Sequence, residues 1–299
     1  MMLTGIHLVM IGGDARQIEV IHVLAEMDAT ISLIGYDNLH NVYSGVTKQE
    51  LSPAAFSGAD AVILPPVGTD DDGYVETVFS AQRFQLADEH FEALPEHAKV
   101  YTGMAKPYLK KLCARTEIEL VELFERDDVA IYNSIPTAEG ALMLAIQNTD
   151  ITIHNSNCIV LGMGRTGLTL ARMLQALGAH VRMGVPRAEQ FARAFEMRLS
   201  PFYTDDLAAQ AGDADLIFNT IPHMIITAQV IARIPHRAVI IDLASKPGGT
   251  DFRFAEKRGI KAVLAPGLPG IVAPKTAGNI IARTLSQLIL EDIGKRGKR

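Results

Sequence analysis

The segment Cys158-Ile159-Val160-Leu161-Gly162-Met163-Gly164-Arg165-Thr166-Gly167 constrains this chain more than any other stretch. Four apolar residues read as a buried strand, three glycines follow at G-x-G-x-x-G spacing, and an amphipathic helical pattern comes next. The glycine spacing alone is a weak signal. Between a strand and a helix it specifies a turn whose backbone can approach a dinucleotide pyrophosphate. Gly162 permits the tight turn, Gly164 leaves room for the phosphates, and Gly167 lets helix and strand pack closely. Met163, Arg165 and Thr166 add backbone N–H groups at a helix N-terminus, where the partial positive charge favours an anion. A glycine-rich turn in an unrelated α/β domain is the competing reading, and the two flanking elements count against it.

The remainder of the chain alternates in the same manner. Strands are expected at 6–11, 30–36, 61–65, 99–103 and 119–123, with a helix at 14–27 and a long polar loop at 68–82. Pro136 bars its predecessor from helical geometry, so an apolar helix is expected at 138–148, capped by Ser134 or Thr137. A second series has strands at 158–161, 180–184, 216–220, 238–243 and 260–265. Its helices fall at 165–177, 187–197, 204–211 and 251–258, and a long helix at 274–293 ends the chain. This pattern predicts an α/β protein of two Rossmann-like domains, with parallel sheets around an interdomain cleft. The expected division is a substrate or partner domain at 1–133, a connecting helix at 134–150 and a dinucleotide-binding Rossmann domain at 151–273. Residues 274–299 would pack back on the first domain and finish in a basic tail.

A chain of 299 residues can bury two cores, and its 48% hydrophobic and 21% charged content is that of a globular enzyme. A net charge of −6 offers no bulk attraction to nucleic acid or to an anionic membrane. The basic run Lys295-Arg296-Gly297-Lys298-Arg299 reads as a solvated terminus. Cys113 and Cys158 lie far apart without metal-ligand spacing, so two free thiols and no metal are expected. The N-terminus lacks a basic region ahead of its apolar stretch, and no apolar run is read as long enough to span a bilayer. A cytoplasmic protein is the expectation.

The choice of dinucleotide follows from charge. An NAD site normally carries a carboxylate about 20 residues past the turn, where it meets the ribose hydroxyls. Here that region reads His180-Val181-Arg182-Met183-Gly184-Val185-Pro186-Arg187, with two arginines and no acid before Glu189. A guanidinium can grip a 2′-phosphate that a carboxylate would repel, which favours NADP, with Arg187 ahead of Arg182 because it sits past the strand end. Surface arginines without a ligand are the alternative. Two further strand ends, Thr220-Ile221-Pro222 and Asp242-Leu243-Ala244, should flank the same crevice. Lys246, before Pro247-Gly248-Gly249, is either a cation aimed there or an exposed lysine.

Four longer strings carry a family resemblance: Gly12-Gly13-Asp14-Ala15-Arg16, the run from Tyr132 to Gly140, the run from Asp242 to Asp251, and the run from Ala265 to Gly278. Together they resemble the A-subunit family of spore dipicolinate synthase, nearly end to end. One departure is Val185-Pro186-Arg187, where that family more usually has Ala-Arg-Ser. The resemblance implies an NADP-linked enzyme that works with a flavoprotein-like B-type partner of dipicolinate synthase in the mother cell of sporulating bacteria. The implied product is pyridine-2,6-dicarboxylate, made from a cyclic lysine-pathway intermediate of the dihydrodipicolinate type.

Such an oxidation gains aromatic stabilisation, so the site need only orient the ring, neutralise two carboxylates and accept a ring proton. Lys246, Ser134 and Thr137 are the catalytic candidates; Asp14, Arg16, Asn133 and Lys275 are the substrate-binding ones. Asp14 or Glu139 could serve as base, but helix-end charges are the simpler reading of both. A 2-hydroxy acid or alanine dehydrogenase would share the architecture but needs a histidine paired with a carboxylate, and His223 and His236 are isolated. A cofactor-binding regulatory or scaffold protein, with the chemistry in its partner, is the other alternative, and a homo-oligomer stays open.

Overall fold

The central strands of both sheets are buried along their length, and successive residues enter apolar clusters on opposite faces. In β1 (His7–Ile11), Leu8 and Met10 enter one apolar cluster while Val9 and Ile11 enter another on the opposite face. The computed structural model describes residues 2–40 and 43–296. Within it the chain forms two compact units, one running to Ala130 and resuming at Ala273, the other Ile131–Val272.

The first unit contains β2 (Thr30–Ile34), β3 (Val46–Lys48), β4 (Ala61–Ile63), β5 (Tyr74–Val75), β6 (Phe84–Gln85), β7 (Lys99–Thr102) and β8 (Glu119–Glu122). Its six-stranded sheet has the order β3-β2-β1-β4-β7-β8 and is parallel throughout, while β5 and β6 form a separate antiparallel pair. The second unit holds β9 (Asn157–Leu161), β10 (His180–Val185), β11 (Ser200–Tyr203), β12 (Leu216–Asn219), β13 (Val239–Asp242) and β14 (Lys261–Leu264). These run parallel in the order β11-β10-β9-β12-β13-β14. Both sheets therefore reverse their winding beside the first strand. The loops leaving β1 and β4 diverge, as do those leaving β9 and β12, and each divergence opens a crevice for a ligand.

The last helix, Pro274–Arg296, lies in the first unit. Ile281, Ala282, Leu285 and Ile289 join Val20, Ile21 and Leu24 of helix Ala15–Glu26 in one apolar cluster. Gly278 permits this approach, because a Cβ there would strike the Arg16 carbonyl oxygen and lie 2.7 Å from Glu19 Cβ. At the far end Asp292 accepts from Lys99 Nζ and from the Tyr101 hydroxyl, both at 2.9 Å. Burial alone would raise the Asp292 carboxyl, but those two bonds and the lysine charge outweigh it and hold the carboxyl below its ordinary range. A depressed folded value stabilises above the ordinary aspartate pKa of about 3.9, and that stabilisation is lost as pH falls through the folded value. Asp292→Asn should thus lower stability at neutral pH and flatten its decline in acid. Chemical unfolding from about pH 6 to 2 checks this, and parallel profiles for parent and variant would contradict it.

Several expectations need correcting. The stretch 68–82, read as a loop, contains β5. Edge strands β3 and β11 were not expected, the first only three residues long and the second interrupted by Pro201, which an edge tolerates. The helix expected at 138 begins at Asp127 and runs to Asn148 straight through Pro136. Its hydroxyls are not caps but bond back into the helix, Ser134 Oγ to Ile131 O and Thr137 Oγ1 to Asn133 O, both at 2.7 Å. At 22 residues with mean hydropathy 1.3, this helix is long and apolar enough to cross a membrane by those two criteria, contrary to the sequence reading. Its Ala138, Ala141 and Ala145 are fully buried in the second unit's core. Arg296, read as part of a solvated tail, is tied to Asp60 Oδ1 at 2.7 Å and the His97 carbonyl at 2.9 Å; Gly297, Lys298 and Arg299 lie outside the described residues. Cys113 and Cys158 are buried free thiols, and burial pushes them up to about 12 and about 11.

Candidate functional site

In the second unit, β9 delivers the chain into the glycine turn, and helix Arg165–Ala176 begins immediately after Gly164. Gly162 sits at φ +93°, and a Cβ there would come 2.6 Å from Thr220 Oγ1 and 2.9 Å from Ile221 Cγ1. A Cβ on Gly167 would strike the Gly162 carbonyl oxygen, so this glycine sets the strand-to-helix distance. Gly164 differs from both. Its backbone is extended, with φ −83° and ψ −171°, and a Cβ there would meet nothing within 4 Å. Neither strain nor neighbours demand glycine at 164, and no protein atom occupies the space beside it. No acidic residue stands in the first helical turn. These features fit a dinucleotide pyrophosphate lying on the helix N-terminus.

The neighbouring strand ends form a hydrogen-bonded lattice under the turn. Thr220 Oγ1 donates to the Leu161 carbonyl at 2.8 Å, which ties the end of β12 to the end of β9. Asp242, fully buried at the end of β13, accepts four hydrogen bonds. Asn219 Nδ2 and Ala244 N reach its Oδ1 at 3.0 and 3.1 Å; Gly249 N and Thr250 Oγ1 reach its Oδ2 at 2.8 and 2.6 Å. The Asp242 carboxylate was expected at the cofactor. Instead it points into the protein and shapes the loop that carries Leu243, Ala244 and Lys246. Asn219 was missed as its partner, because a lone strand-end asparagine gives no sequence signal. Lys246 is exposed on that loop, and Pro222 is exposed on the loop that follows β12.

The two arginines separate clearly. Arg182 lies mid-strand, and its Nη2 meets Asp213 Oδ1 at 2.6 Å while its Nη1 meets the Gln210 carbonyl at 2.8 Å. Asp213 precedes β12, so Arg182 is held toward the amino-terminal edge of the sheet, and its expected part in 2′-phosphate binding is withdrawn. Arg187 follows β10 at its carboxyl end, caps helix Ala188–Glu196 and is exposed, with Nε 3.0 Å from Glu189 Oε1. An exposed pair of this kind yields readily to a better anion.

Ser134 is 1% exposed, and its hydroxyl is shared between Ile131 O and Thr169 Oγ1, each at 2.7 Å. Thr137 is spent on Asn133 O. Both were catalytic candidates; their hydroxyls are engaged in fixing helix Asp127–Asn148, Ser134 against the dinucleotide helix, and neither is offered to a substrate. Asn133 remains half-buried on the same helix.

The first unit has a cavity of about 560 Å³ where the loops after β1 and β4 diverge. Gly13, Asp14 and Arg16 form one wall, Pro65 to Asp70 another, and the segment from Tyr74 to Arg83 covers it, with Lys106 at the edge. Asp14 caps helix Ala15–Glu26 and binds Arg16 through Nε at 2.9 Å and Nη2 at 2.6 Å. Burial would raise the Asp14 carboxyl, yet the hydrogen bonds and charge of Arg16 prevail and hold it low. Asp14 is thus the carboxylate partner of Arg16, and its lowered pKa makes it a weak proton acceptor. Lys275 is exposed in the first turn of the last helix, whose Gly278 touches the Arg16 backbone, so the structure brings these two expected cations to one end of the helix pair. Arg83, Lys106 and Tyr74 were not anticipated, although the polar stretch beside them was marked.

Known proteins resemble this chain over its whole length. Residues 7–124 match the N-terminal domain of the dipicolinate synthase A chain, and residues 137–246 match the NAD binding domain of D-isomer specific 2-hydroxyacid dehydrogenases. The chain is 50% identical over 297 residues to the dipicolinate synthase A chain of Bacillus subtilis (strain 168), covering 99% of this chain and 100% of the relative. The crystal structure of the dipicolinate synthase A chain from Bacillus halodurans superposes with a TM-score of 0.94 at 52% identity, covering 97% of this chain and 99% of that one. The crystal structure of the Bacillus subtilis A chain superposes at 0.93 and 50% identity, covering 98% and 99%.

Proposed function

Because the chain belongs to the A-subunit family of dipicolinate synthase, we propose that it is the NADP-linked dehydrogenase that turns a dihydrodipicolinate-type ring into pyridine-2,6-dicarboxylate, working with a second, flavoprotein-like subunit. Its nicotinamide-dinucleotide domain is of the dehydrogenase kind. The observation that carries the reading is the clear space over Gly164 at a helix N-terminus, in a turn where Gly162 and Gly167 are held by packing.

When bound, NADP⁺ supplies the hydride acceptor; the ring also loses a proton, and aromatisation drives the change. The backbone N–H groups of Met163, Arg165 and Thr166 would hold the pyrophosphate, and Arg187, paired with Glu189 at the end of β10, would hold the 2′-phosphate. Thr220, Ile221, Pro222, Leu243 and Ala244, at the ends of β12 and β13, would border the nicotinamide, with Asp242 as a positioning residue for their loop. In the first unit, Arg16, whose charge Asp14 already balances, and Lys275 are the substrate-binding candidates; in the second, Asn133 is the substrate-binding candidate and Lys246 the catalytic one. The same reading puts the protein in the cytoplasm.

Arg187→Ala tests the cofactor assignment. Loss of a charge-assisted bidentate contact should weaken NADPH binding by about tenfold to a hundredfold and leave NADH binding nearly unchanged. Titrations of dinucleotide fluorescence measure both, and an equal loss for the two cofactors would contradict the assignment.

A further inference from the structure

We propose that Arg83 is the carboxylate anchor of the first unit's cavity, the residue through which this site selects a ring dicarboxylate over a monocarboxylate. The proposal rests on the functional reading that the substrate carries two carboxylates.

The position of the cavity is the first argument. It lies where the winding of the first sheet reverses, the counterpart of the place the glycine turn occupies in the second. Counting from the strand-end glycines, Asp14 and Gln17 stand two and five residues past Gly12, as Gly164 and Gly167 stand past Gly162. A carboxylate thus stands at the position of the second glycine, and Gln17, 1% exposed, stands at the position of the third. The Asp14 carboxylate at that position disfavours a pyrophosphate. The crevice that remains has the size of a small-molecule site.

Charge is the second argument. Three cations (Arg16, Arg83 and Lys106) and three carboxylates (Asp14, Asp70 and Glu76) line the cavity, and two of the cations are held in ion pairs. Arg16 grips both oxygens of Asp14, and Lys106 Nζ stands 3.1 Å from Asp71 Oδ2. Arg83 Cζ lies 3.8 Å from the centroid of the Tyr74 ring, and among the described residues no carboxylate lies within ion-pair distance of it. Stacking over one ring covers a face of the guanidinium but leaves its N–H edges open. Those edges match a carboxylate bidentately. The platform is fixed as well. Tyr74 N donates to Asp70 Oδ1 at 2.8 Å, and Val75 pairs with Phe84, the buried residue next to Arg83. The hairpin therefore holds an exposed guanidinium, stacked on Tyr74 and in no ion pair with a described residue, in the lining of the cavity.

The test uses the full chain and two probes, pyridine-2,6-dicarboxylate and pyridine-2-carboxylate, titrated calorimetrically with NADPH present. The parent should prefer the dicarboxylate by about tenfold to a hundredfold. Arg83→Met should bind both acids alike, at the parent's affinity for the monocarboxylate, with NADPH affinity unchanged; Arg83→Lys should recover part of the preference. A merely structural arginine would weaken both acids together and keep their ratio, and that result overturns the proposal. A parent that binds neither acid overturns it too. In that case the functional reading survives only if the chain with its flavoprotein-like partner still forms dicarboxylate from NADP⁺, which separates the two failures.

Discussion

Gly167→Ala is expected to leave the second unit unable to close its helix on β9. The added methyl would enter the Gly162 carbonyl oxygen and stand 3.0 Å from the Gly162 carbonyl carbon and 3.2 Å from Thr220 Oγ1. Backbone on one side and a hydrogen-bonded hydroxyl on the other leave no flexible side chain to give way. Relief requires helix Arg165–Ala176 to move off the sheet, and with it Leu170, Ala171 and Leu174, which are fully buried against Cys158 and Val160. Overpacking of a core ordinarily costs about 1–3 kcal/mol, and a clash with backbone belongs at or above the top of that range. Thermal unfolding followed by circular dichroism should show a transition lowered by many degrees. A variant that melts with the parent would contradict the account of this turn.

Gly164→Val should do the opposite: preserve the fold and abolish dinucleotide binding. The Gly164 backbone is extended, a conformation valine adopts readily, and a Cβ there touches nothing within 4 Å. As the residue preceding the helix, valine forfeits at most a modest capping contribution. Its methyls would nevertheless fill the space through which phosphates approach the helix N-terminus. The expected result is a parent-like melting temperature with no measurable NADPH affinity. Two glycines three residues apart thus fail in different assays. Finding the dinucleotide bound to Gly164→Val would show that the pyrophosphate lies elsewhere.

Much of this fold is legible in the sequence because parallel strands buried on both faces read as short apolar runs, as in Leu8 to Ile11 and Cys158 to Leu161. Strands that bury little are not legible: Val46–Lys48 has one buried residue, and Ser200–Tyr203 has one and a proline. Pro136 misled for another reason. A proline removes one backbone donor and crowds the preceding turn, but the surrounding core overrides that preference, with Ala138, Ala141 and Ala145 packed beyond it. At the site, residues whose role is steric could be read, since glycine spacing encodes backbone geometry. Residues whose role depends on partners could not. Asp242 and Arg182 looked available until Asn219, Thr250 and Asp213 were seen bonded to them. Arg83 gave no signal because its distinction is the Tyr74 ring beneath it and, among the described residues, the lack of a carboxylate partner, both properties of the folded hairpin.

If this chain carries the oxidation, as proposed, and does not merely support a partner that does, its dinucleotide is reduced as the dicarboxylate forms. The most direct measurement mixes the chain, the proposed flavoprotein-like second subunit, NADP⁺ and freshly generated dihydrodipicolinate, then quantifies reduced dinucleotide and pyridine-2,6-dicarboxylate in the same samples. The two products should appear in equal amounts with the parent chain, and neither should form above background with Gly164→Val. Dicarboxylate formed without reduced dinucleotide, or formed as fast with Gly164→Val, would place the chemistry in the partner and contradict the claim.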